Sequence, residues 1–194
     1  MRHAHGKSFA LLALWLGLAS CQSSSADAEE WFEVGTNAYF RDESATPEVD
    51  DAMGWTLGGG LEFTEGNLHV GPELFVTGSQ HDVAGGLLGL DSGGDLEAYT
   101  YGVGVRLAHE IPNTELGLHL RAGAFFRDER NKNGATVAQD QGGYYLGAGL
   151  EWWFEKYTSL SLGVVHLHRE EDGFDELAVM LSARFSFEHS LGLD

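Results

Sequence analysis

After residue 30, apolar side chains alternate with other side chains at a period of two, which is the pattern of β-strands whose two faces have different surroundings. The alternation falls into eight segments. Their apolar faces carry Phe32, Val34, Ala38 and Phe40; Met53, Trp55, Leu57, Leu61 and Phe63; Leu68, Val70, Leu74 and Val76; Tyr99, Tyr101, Val103, Val105 and Leu107; Leu116, Leu118, Leu120, Ala122, Ala124 and Phe126; Tyr144, Leu146, Ala148, Leu150, Trp152 and Phe154; Leu160, Leu162 and Val164; and Leu177, Val179, Leu181, Ala183, Phe185 and Phe187. The pattern predicts an all-β fold of eight strands.

The connections between these segments alternate in length. Short turns occupy residues 65–67, 111–113 and 155–157, whereas the connections between them are longer, acidic and rich in Gly, Asp and Ser. Long and short connections alternate in the same way in antiparallel up-and-down barrels of the outer membrane, which have long external loops and tight periplasmic turns. An even number of strands then returns the C-terminus to the periplasmic side.

The face opposite the apolar one distinguishes a transmembrane barrel from a soluble one, because both have one apolar face. This second face is rich in glycine, at Gly35, Gly58, Gly60, Gly71, Gly102, Gly104, Gly117, Gly123, Gly147, Gly149 and Gly163. A water-exposed face would favour Lys, Thr and Ser, since glycine weakens strands. A crowded lumen needs small residues, so the glycine face is predicted to point inward and the apolar face toward lipid.

The aromatic residues of the apolar face gather at the two ends of the strands. One girdle comprises Phe32, Phe63, Trp152, Phe154, Phe185 and Phe187, and the other comprises Phe40, Trp55, Tyr99, Tyr101, Phe126 and Tyr144. Eight steps separate Phe32 from Phe40, so at about 3.3 Å per residue and a tilt near 40° the band is roughly 20 Å tall. The apolar band of outer-membrane barrels is about 25 Å tall, which agrees with a membrane-spanning band.

Charged residues on the inward face predict a paired network inside the barrel, because an unpaired charge in a narrow lumen is costly. The network comprises Glu33, Glu62, Glu73, Glu151, Arg106, Arg121 and Arg184, with His69 and His119 nearby. An eight-stranded barrel is just wide enough for its own side chains, which include Phe75, Phe125, Tyr145, Trp153 and Met180. The expectation is a plugged lumen, with a narrow gated channel as an alternative.

The first residues have the composition of a bacterial signal peptide, with Arg2 and Lys7 before an apolar run over residues 9–18. Ten residues are too few for a transmembrane helix, which needs about 20. Two processing sites compete. Cys21 ends a lipobox, which makes residues 1–20 the signal and Cys21 the lipidated first residue; the alternative is cleavage after Ala28. Residues 21–30 are then a periplasmic tether, 31–188 the outer-membrane barrel and 189–194 a periplasmic tail.

The formal net charge of −19 makes a nucleic-acid partner improbable, because the surface repels phosphate. The acids cluster in the long, turn-rich connections, where divalent cations are candidate partners. The third connection is expected to hold Asp128, Glu129 and Asp140, and the fourth is expected to hold Asp175 and Glu176. Asp91, Asp95 and Glu97 offer clustered oxygens for Ca²⁺, but their spacing departs from that of an EF-hand and the metal signal is weak. A phosphate loop, paired zinc cysteines and a nucleophile elbow are all missing from the sequence, so no cofactor is predicted.

Over residues 30–188 the chain resembles the small eight-stranded outer-membrane barrels typified by the OmpA transmembrane domain and OmpX. The resemblance rests on the strand pattern, the girdles and the Glu/Arg lumen. It implies a location in the bacterial outer membrane with outer-membrane lipid as the partner. The chain departs from these barrels by continuing past Phe187 to Asp194, and it lacks the peptidoglycan-binding domain of full OmpA proteins.

His166 and His168 lie on the lipid-facing side near the outer end of the seventh segment. This resembles the H-x-S pair of lipid A deacylase barrels, and Glu170 or Glu176 would supply the acid. Because His168 occupies the serine position, the nucleophile of that chemistry is missing. The first hypothesis is therefore a non-enzymatic barrel that supports the envelope or presents acidic loops to a protein partner still to be found. A lipid A acyl hydrolase and a narrow channel are the alternatives.

Overall fold

The computed structural model of the protein describes residues 27–41, 52–81, 96–131, 136–169 and 175–188. They form eight strands: β1 (Asp27–Arg41), β2 (Ala52–Glu65), β3 (Leu68–His81), β4 (Leu96–Glu110), β5 (Leu116–Asn131), β6 (Thr136–Glu155), β7 (Thr158–Arg169) and β8 (Asp175–Glu188). Among these residues, no helix has the length and apolar content needed to cross a membrane.

Each strand pairs antiparallel with its neighbour in sequence, and β1 also pairs with β8, so the sheet closes into a barrel. The predicted fold, an all-β barrel of eight antiparallel strands, is confirmed. Every strand of the closed sheet is paired on both sides, which leaves no long edge to attract another chain. Closure also gives the backbone N–H and C=O groups hydrogen-bond partners within the sheet, which the hydrocarbon of the bilayer cannot provide.

The register sets the tilt of the strands and the width of the barrel. Following paired residues once around the barrel leads from Trp31 through Gly60, Glu73, Gly104, Gly123, Tyr145, Leu167 and Glu176 to Arg41. The path returns to β1 ten residues beyond its start. With a rise of about 3.3 Å and a strand spacing of about 4.7 Å, this stagger gives a tilt of about 41° and a backbone radius of about 8 Å.

Three short turns join β2 to β3, β4 to β5 and β6 to β7, and we call this end of the barrel the turn end; the opposite end is the loop end. Gly66 and Asn113 adopt a positive φ of 63° in the first two turns, a conformation that these two residue types tolerate best. The Ile111 N–H donates to Leu116 O at 2.8 Å, which closes the second turn.

At the loop end, the strands are longer than the sequence pattern predicted. Asp128 and Glu129 belong to β5, Asp140 belongs to β6, and Asp175 and Glu176 begin β8. Assigning these acids to loops was therefore wrong. Acidic residues are common in loops, which is why they were assigned there. Strand pairing nevertheless continues beyond the apolar band, where both faces of the strand carry polar side chains and the alternation is no longer visible in the sequence.

The two faces of the sheet differ as the alternation predicts. The largest lipid-facing aliphatic side chains, including Leu74, Leu120 and Leu146, are about half exposed, whereas the inward side chains are buried. Glycine occupies positions where the lumen has no space for a side chain. A Cβ atom at Gly102 would lie only 2.2 Å from the ring of Phe75, and Phe75 in turn packs edge-on against Tyr145 with 5.0 Å between ring centroids.

Candidate functional site

The lumen at the turn end contains four ionised side chains, Glu62, Arg106, Glu151 and Arg184, which we call the turn-end cluster. They come from β2, β4, β6 and β8 and are all buried. Arg106 donates one hydrogen bond to Glu62 and one to Glu151, and Arg184 does the same. Each carboxylate therefore meets two guanidiniums, and the two charges of each sign balance.

Trp31 lies against this cluster. The guanidinium carbons of Arg106 and Arg184 lie 5.7 and 4.9 Å from the centroid of its ring. Both distances suit a cation–π contact, which is stronger when water is excluded. The alternation along the sequence places Trp31 on the inward face of its strand. Its contacts with two arginines could not be predicted, because they depend on the register of four strands.

The middle cluster comprises Glu33, Glu73, Arg121 and Tyr145. Arg121 Nη2 donates to Glu33 Oε2 at 3.1 Å, and Arg121 Nε lies 3.6 Å from Glu73 Oε2. The Tyr145 hydroxyl donates to Glu73 Oε1 at 2.8 Å. The guanidinium of Arg121 thus pairs with two buried carboxylates.

The loop-end cluster comprises Arg127, Glu129, Arg169 and Glu176, which the sequence analysis did not place in the lumen. Arg127 donates to Glu176, and its Nε lies 3.0 Å from Glu129 Oε1. Arg169 lies 3.5 Å from the same carboxylate oxygen. Strand parity could have identified these residues, because Arg127 and Glu129 continue the inward series of Phe125.

Neutral side chains lie between the middle and loop-end clusters. Asn37 donates to Thr56 at 2.6 Å, and Tyr39 donates to Thr77 at 2.9 Å. A small cavity beside Asn37 is lined largely by apolar groups that include Met180. Polar pairs and apolar side chains therefore fill successive levels of the lumen.

All seven residues predicted for the charge network face the lumen and make ion pairs with one another. His119 is also buried there, and His69 lies near the turn end, 3.2 Å from Glu110. The expected filling residues Phe125, Tyr145 and Met180 are buried, whereas Phe75 and Trp153 are partly buried.

The twelve residues assigned to the girdles lie on the lipid-facing side of the barrel. At the turn end, Phe32 stacks on Phe185 and Phe187 with centroid distances of 4.9 and 6.0 Å. Trp152 packs edge-on against Phe154 at 6.0 Å. The contacts of Phe32 thus connect β1 with β8 on the outer surface, whereas the Trp152–Phe154 contact lies within β6.

His166 and His168 also face outward, and both contact Asp175 at the start of β8. His166 Nε2 and His168 Nδ1 lie 3.0 and 2.8 Å from Asp175 Oδ1. The ring of His168 also packs 4.8 Å from that of Tyr144. The acid beside the histidines is therefore Asp175, since Glu176 points into the lumen.

The remaining candidate residues are Cys21, Glu170, Asp91, Asp95 and Glu97. Cys21, Glu170, Asp91 and Asp95 lie outside the described residues, as do the signal sequence and the C-terminal tail, whereas Glu97 is partly exposed on β4. In the part of the chain that the structure describes, no group of three or more His, Cys, Asp or Glu side chains is arranged to hold a metal ion.

A family model, the outer membrane protein beta-barrel domain, matches residues 11–185. Together with the closed antiparallel barrel, this match shows that the chain belongs to the outer membrane protein beta-barrel domain family. The protein is therefore an outer-membrane β-barrel, and its location is the bacterial outer membrane. No curated protein matches the chain in sequence.

Solved structures of small outer-membrane proteins share this fold. Ail, the attachment invasion locus protein of Yersinia pestis, is 14% identical with a TM-score of 0.58, covering 83% of this chain and 99% of Ail. Neisserial surface protein A is 10% identical with a TM-score of 0.56, covering 84% and 100%. The N-terminal β-barrel domain of Pseudomonas aeruginosa OprF is 17% identical with a TM-score of 0.52, covering 84% and 100%. At these identities the likeness shows the fold alone.

Proposed function

We propose that this protein is a closed, non-enzymatic barrel that anchors in the outer membrane and presents acidic loops to the outside. The observation that carries the proposal is the stack of three ionic clusters across the lumen. Each cluster joins side chains from opposite walls of a barrel about 8 Å in backbone radius. A hydrated ion crossing the lumen would have to separate all three clusters in a medium of low dielectric constant, which is costly.

Planar-bilayer recording of the refolded protein tests the closed lumen. The expected result is no stepwise conductance from the wild type. The variant Arg106→Ala, which removes a large side chain from the turn-end cluster, serves as a matched test of whether the clusters limit conduction. Regular conductance steps from the wild type at low voltage would refute the plug and favour the channel.

The proposed partner of the loops carries positive charge. Ail has been solved with the heparin analogue sucrose octasulfate, a polyanion. Here the long connections carry clustered acids, such as Glu43, Glu48, Asp50 and Asp51 in the first one. Repulsion between these carboxylates and a polyanion favours a different ligand, namely a cationic surface or a divalent cation that bridges the loops to anionic glycolipid.

Binding to glycolipid vesicles in the presence of Mg²⁺ tests this proposal. Replacing the four acids of the first loop by Asn or Gln is expected to weaken Mg²⁺-dependent binding. The matched control replaces Glu65 and Glu155, which end β2 and β6 at the opposite end of the barrel, and should leave binding unchanged. Equal binding by both variants and the wild type would refute the proposal that a divalent cation bridges the loops to glycolipid.

A lipid-release assay tests the hydrolase alternative. His168 and Asp175 make the kind of imidazole–carboxylate contact that orients a general base, but His168 itself occupies the position where a serine nucleophile would be needed. We therefore expect no fatty acid release from lipid A by the wild type. Release that His168→Ala abolishes would refute the non-enzymatic proposal.

We also infer that the chain is exported by the signal at residues 1–20 and lipidated at Cys21. The position of the only cysteine at the end of the lipobox supports this reading. Mass spectrometry of the mature N-terminus tests it. A diacylglyceryl group on Cys21 is the expected result, and an unmodified chain that starts at Glu29 would favour the alternative cleavage after Ala28.

A further inference from the structure

A groove lies on the lipid-facing surface near the turn end, across β1, β2 and β3. Its volume is about 370 Å³, far larger than two cavities inside the lumen of about 20 and 10 Å³. An empty groove of this size would forfeit the dispersion contacts of the atoms that line it. The residues lining the groove are Glu30, Trp31, Gly59, Gly60, Leu61, Pro72 and Leu74.

The absence of a side chain at Gly59 opens the groove. Gly59 occupies an outward position of β2, between the large outward side chains of Leu57 and Leu61. Across the sheet it pairs with Phe32 of β1 on one side and with Leu74 of β3 on the other. Gly59 therefore leaves a gap of one side chain in a surface that is otherwise covered by apolar groups.

Pro72 borders the groove at an interruption of the β2–β3 ladder. Residues 61–62 and 71–72 make no regular pairs across these two strands, and proline has no N–H to donate. Behind the groove, a Cβ atom at Gly60 would lie 3.1 Å from the ring of Trp31. A proline ring and an indole therefore fix the shape of this part of the groove without flexible side chains.

The groove runs from the membrane interface into the hydrocarbon. Glu30 lies two residues before Phe32 of the turn-end girdle, so at about 3.3 Å per residue and a tilt of about 41° it is about 5 Å nearer the turn end. Paired rows climb toward the loop end by about 3 Å per strand, which puts Leu74 about 6 Å above Phe32. The span from Glu30 to Leu74 is thus about 11 Å along the membrane normal.

Glu30 places a negative charge at the interfacial end of the groove. Its side chain is exposed on the outer surface, and its carboxylate has no ion pair or hydrogen bond with another residue that the structure describes. An ammonium group at this level would form a charge-assisted hydrogen bond with it, whereas an anionic headgroup would be repelled. The charge therefore selects among lipids that can fill the apolar part of the groove.

We propose that the groove binds a phospholipid, with one acyl chain along Gly59 and the headgroup ammonium on the Glu30 carboxylate. Phosphatidylethanolamine has this chemistry, because its primary ammonium donates hydrogen bonds. The chain fills the gap and contacts Leu61, Pro72 and Leu74. The inference goes beyond the closed lumen and does not depend on it, since the groove lies on the outside of the wall.

Native mass spectrometry of the mature protein in detergent tests the headgroup. Phosphatidylethanolamine and phosphatidylglycerol with the same acyl chains are added at equal concentration, so that only the headgroups differ. The wild type is expected to retain phosphatidylethanolamine in preference. Glu30→Gln should lower this preference by about two- to fivefold. The matched control Glu65→Gln, an exposed acid that ends β2 outside the groove lining, should keep the wild-type preference.

Filling the gap tests the acyl-chain part of the site. Gly59→Leu should weaken retention of both lipids, because its side chain occupies the space of the acyl chain. The matched control is Gly142→Leu, on the lipid-facing side of β6, where a Cβ atom meets only Phe126 at 3.9 Å; it should retain both lipids like the wild type. Gel mobility before and after heating shows which variants are folded. If Gly59→Leu does not fold, Glu30→Gln decides, because it leaves the shape of the groove unchanged.

Equal headgroup preference in the wild type and Glu30→Gln would overturn the proposal, as would undiminished lipid retention by a folded Gly59→Leu. A dimer of the wild type that Gly59→Leu dissociates would assign the groove to a second copy of the chain and also overturn it. A conducting wild type, in contrast, would refute the closed lumen and leave lipid binding in the groove unaffected.

Discussion

Removing Arg106 is predicted to destabilise the turn-end cluster strongly. Arg106→Met keeps a flexible apolar side chain of moderate size but leaves Glu62 and Glu151 to share the guanidinium of Arg184. All of these groups are buried, and removing one partner of a buried ion pair costs about 3–5 kcal/mol. The equilibrium constant for unfolding should rise by about two to four orders of magnitude.

The assay is urea unfolding in lipid vesicles, with the folded fraction measured by gel mobility before and after heating. The double variant Arg106→Met/Glu62→Gln removes one charge of each sign and should recover at least about 1 kcal/mol of the loss. Lys156→Met is the matched control, because Lys156 is exposed at a turn and lies 4.7 Å from the Tyr157 ring. That control should cost less than about 1 kcal/mol. A loss below about 1 kcal/mol for Arg106→Met, or a double variant as unstable as the single one, would refute the reasoning.

Two further predictions concern the two faces of the wall. Gly102→Val places its Cβ 2.2 Å from Phe75 and should lower the free energy of unfolding by about 1–3 kcal/mol or more in the same assay. Gly142→Ala, whose Cβ meets only Phe126 at 3.9 Å, should be nearly neutral. Equal losses for the two variants would show that the lumen is not tightly filled. Leu120→Arg puts a charge in the middle of the lipid-facing band and should cost about 2–4 kcal/mol in vesicles, and no loss there would argue against the assigned face.

The strands and their faces were predictable because burial in a barrel wall is strictly periodic. Leu118 and Leu120 had to share one environment, and His119 and Arg121 the other, once β5 was recognised as a strand. Seven charged lumen residues followed from the same parity. Arg127 and Glu129 continue the inward parity of Phe125, but both faces of β5 become polar after Phe126, so the end of the strand was placed too early and these two residues were missed.

The pairing of these charges was beyond the sequence. Glu62 and Arg184 meet although 122 residues separate them, because β2 and β8 both pair with β1, where Glu62 lies opposite Glu29 and Arg184 opposite Glu33. The contact therefore depends on the register of β1 with β2 and of β1 with β8, and neither register can be read from a single segment. The same holds for Trp31, whose contact with two arginines depends on strands β4 and β8.

The distribution of the turn-end cluster over β2, β4, β6 and β8 has a consequence for biogenesis. The chain must bring its last strand against its first before Arg184 can reach Glu62, so a nascent barrel lacking β8 would hold two carboxylates against one guanidinium. Charge neutralisation and closure are then one event, and contacts this distant in sequence form slowly. A chain arrested before closure would hold an uncompensated carboxylate inside the bilayer, at a cost in free energy. This cost destabilises the incomplete barrel in the membrane and favours insertion of the whole sheet at once.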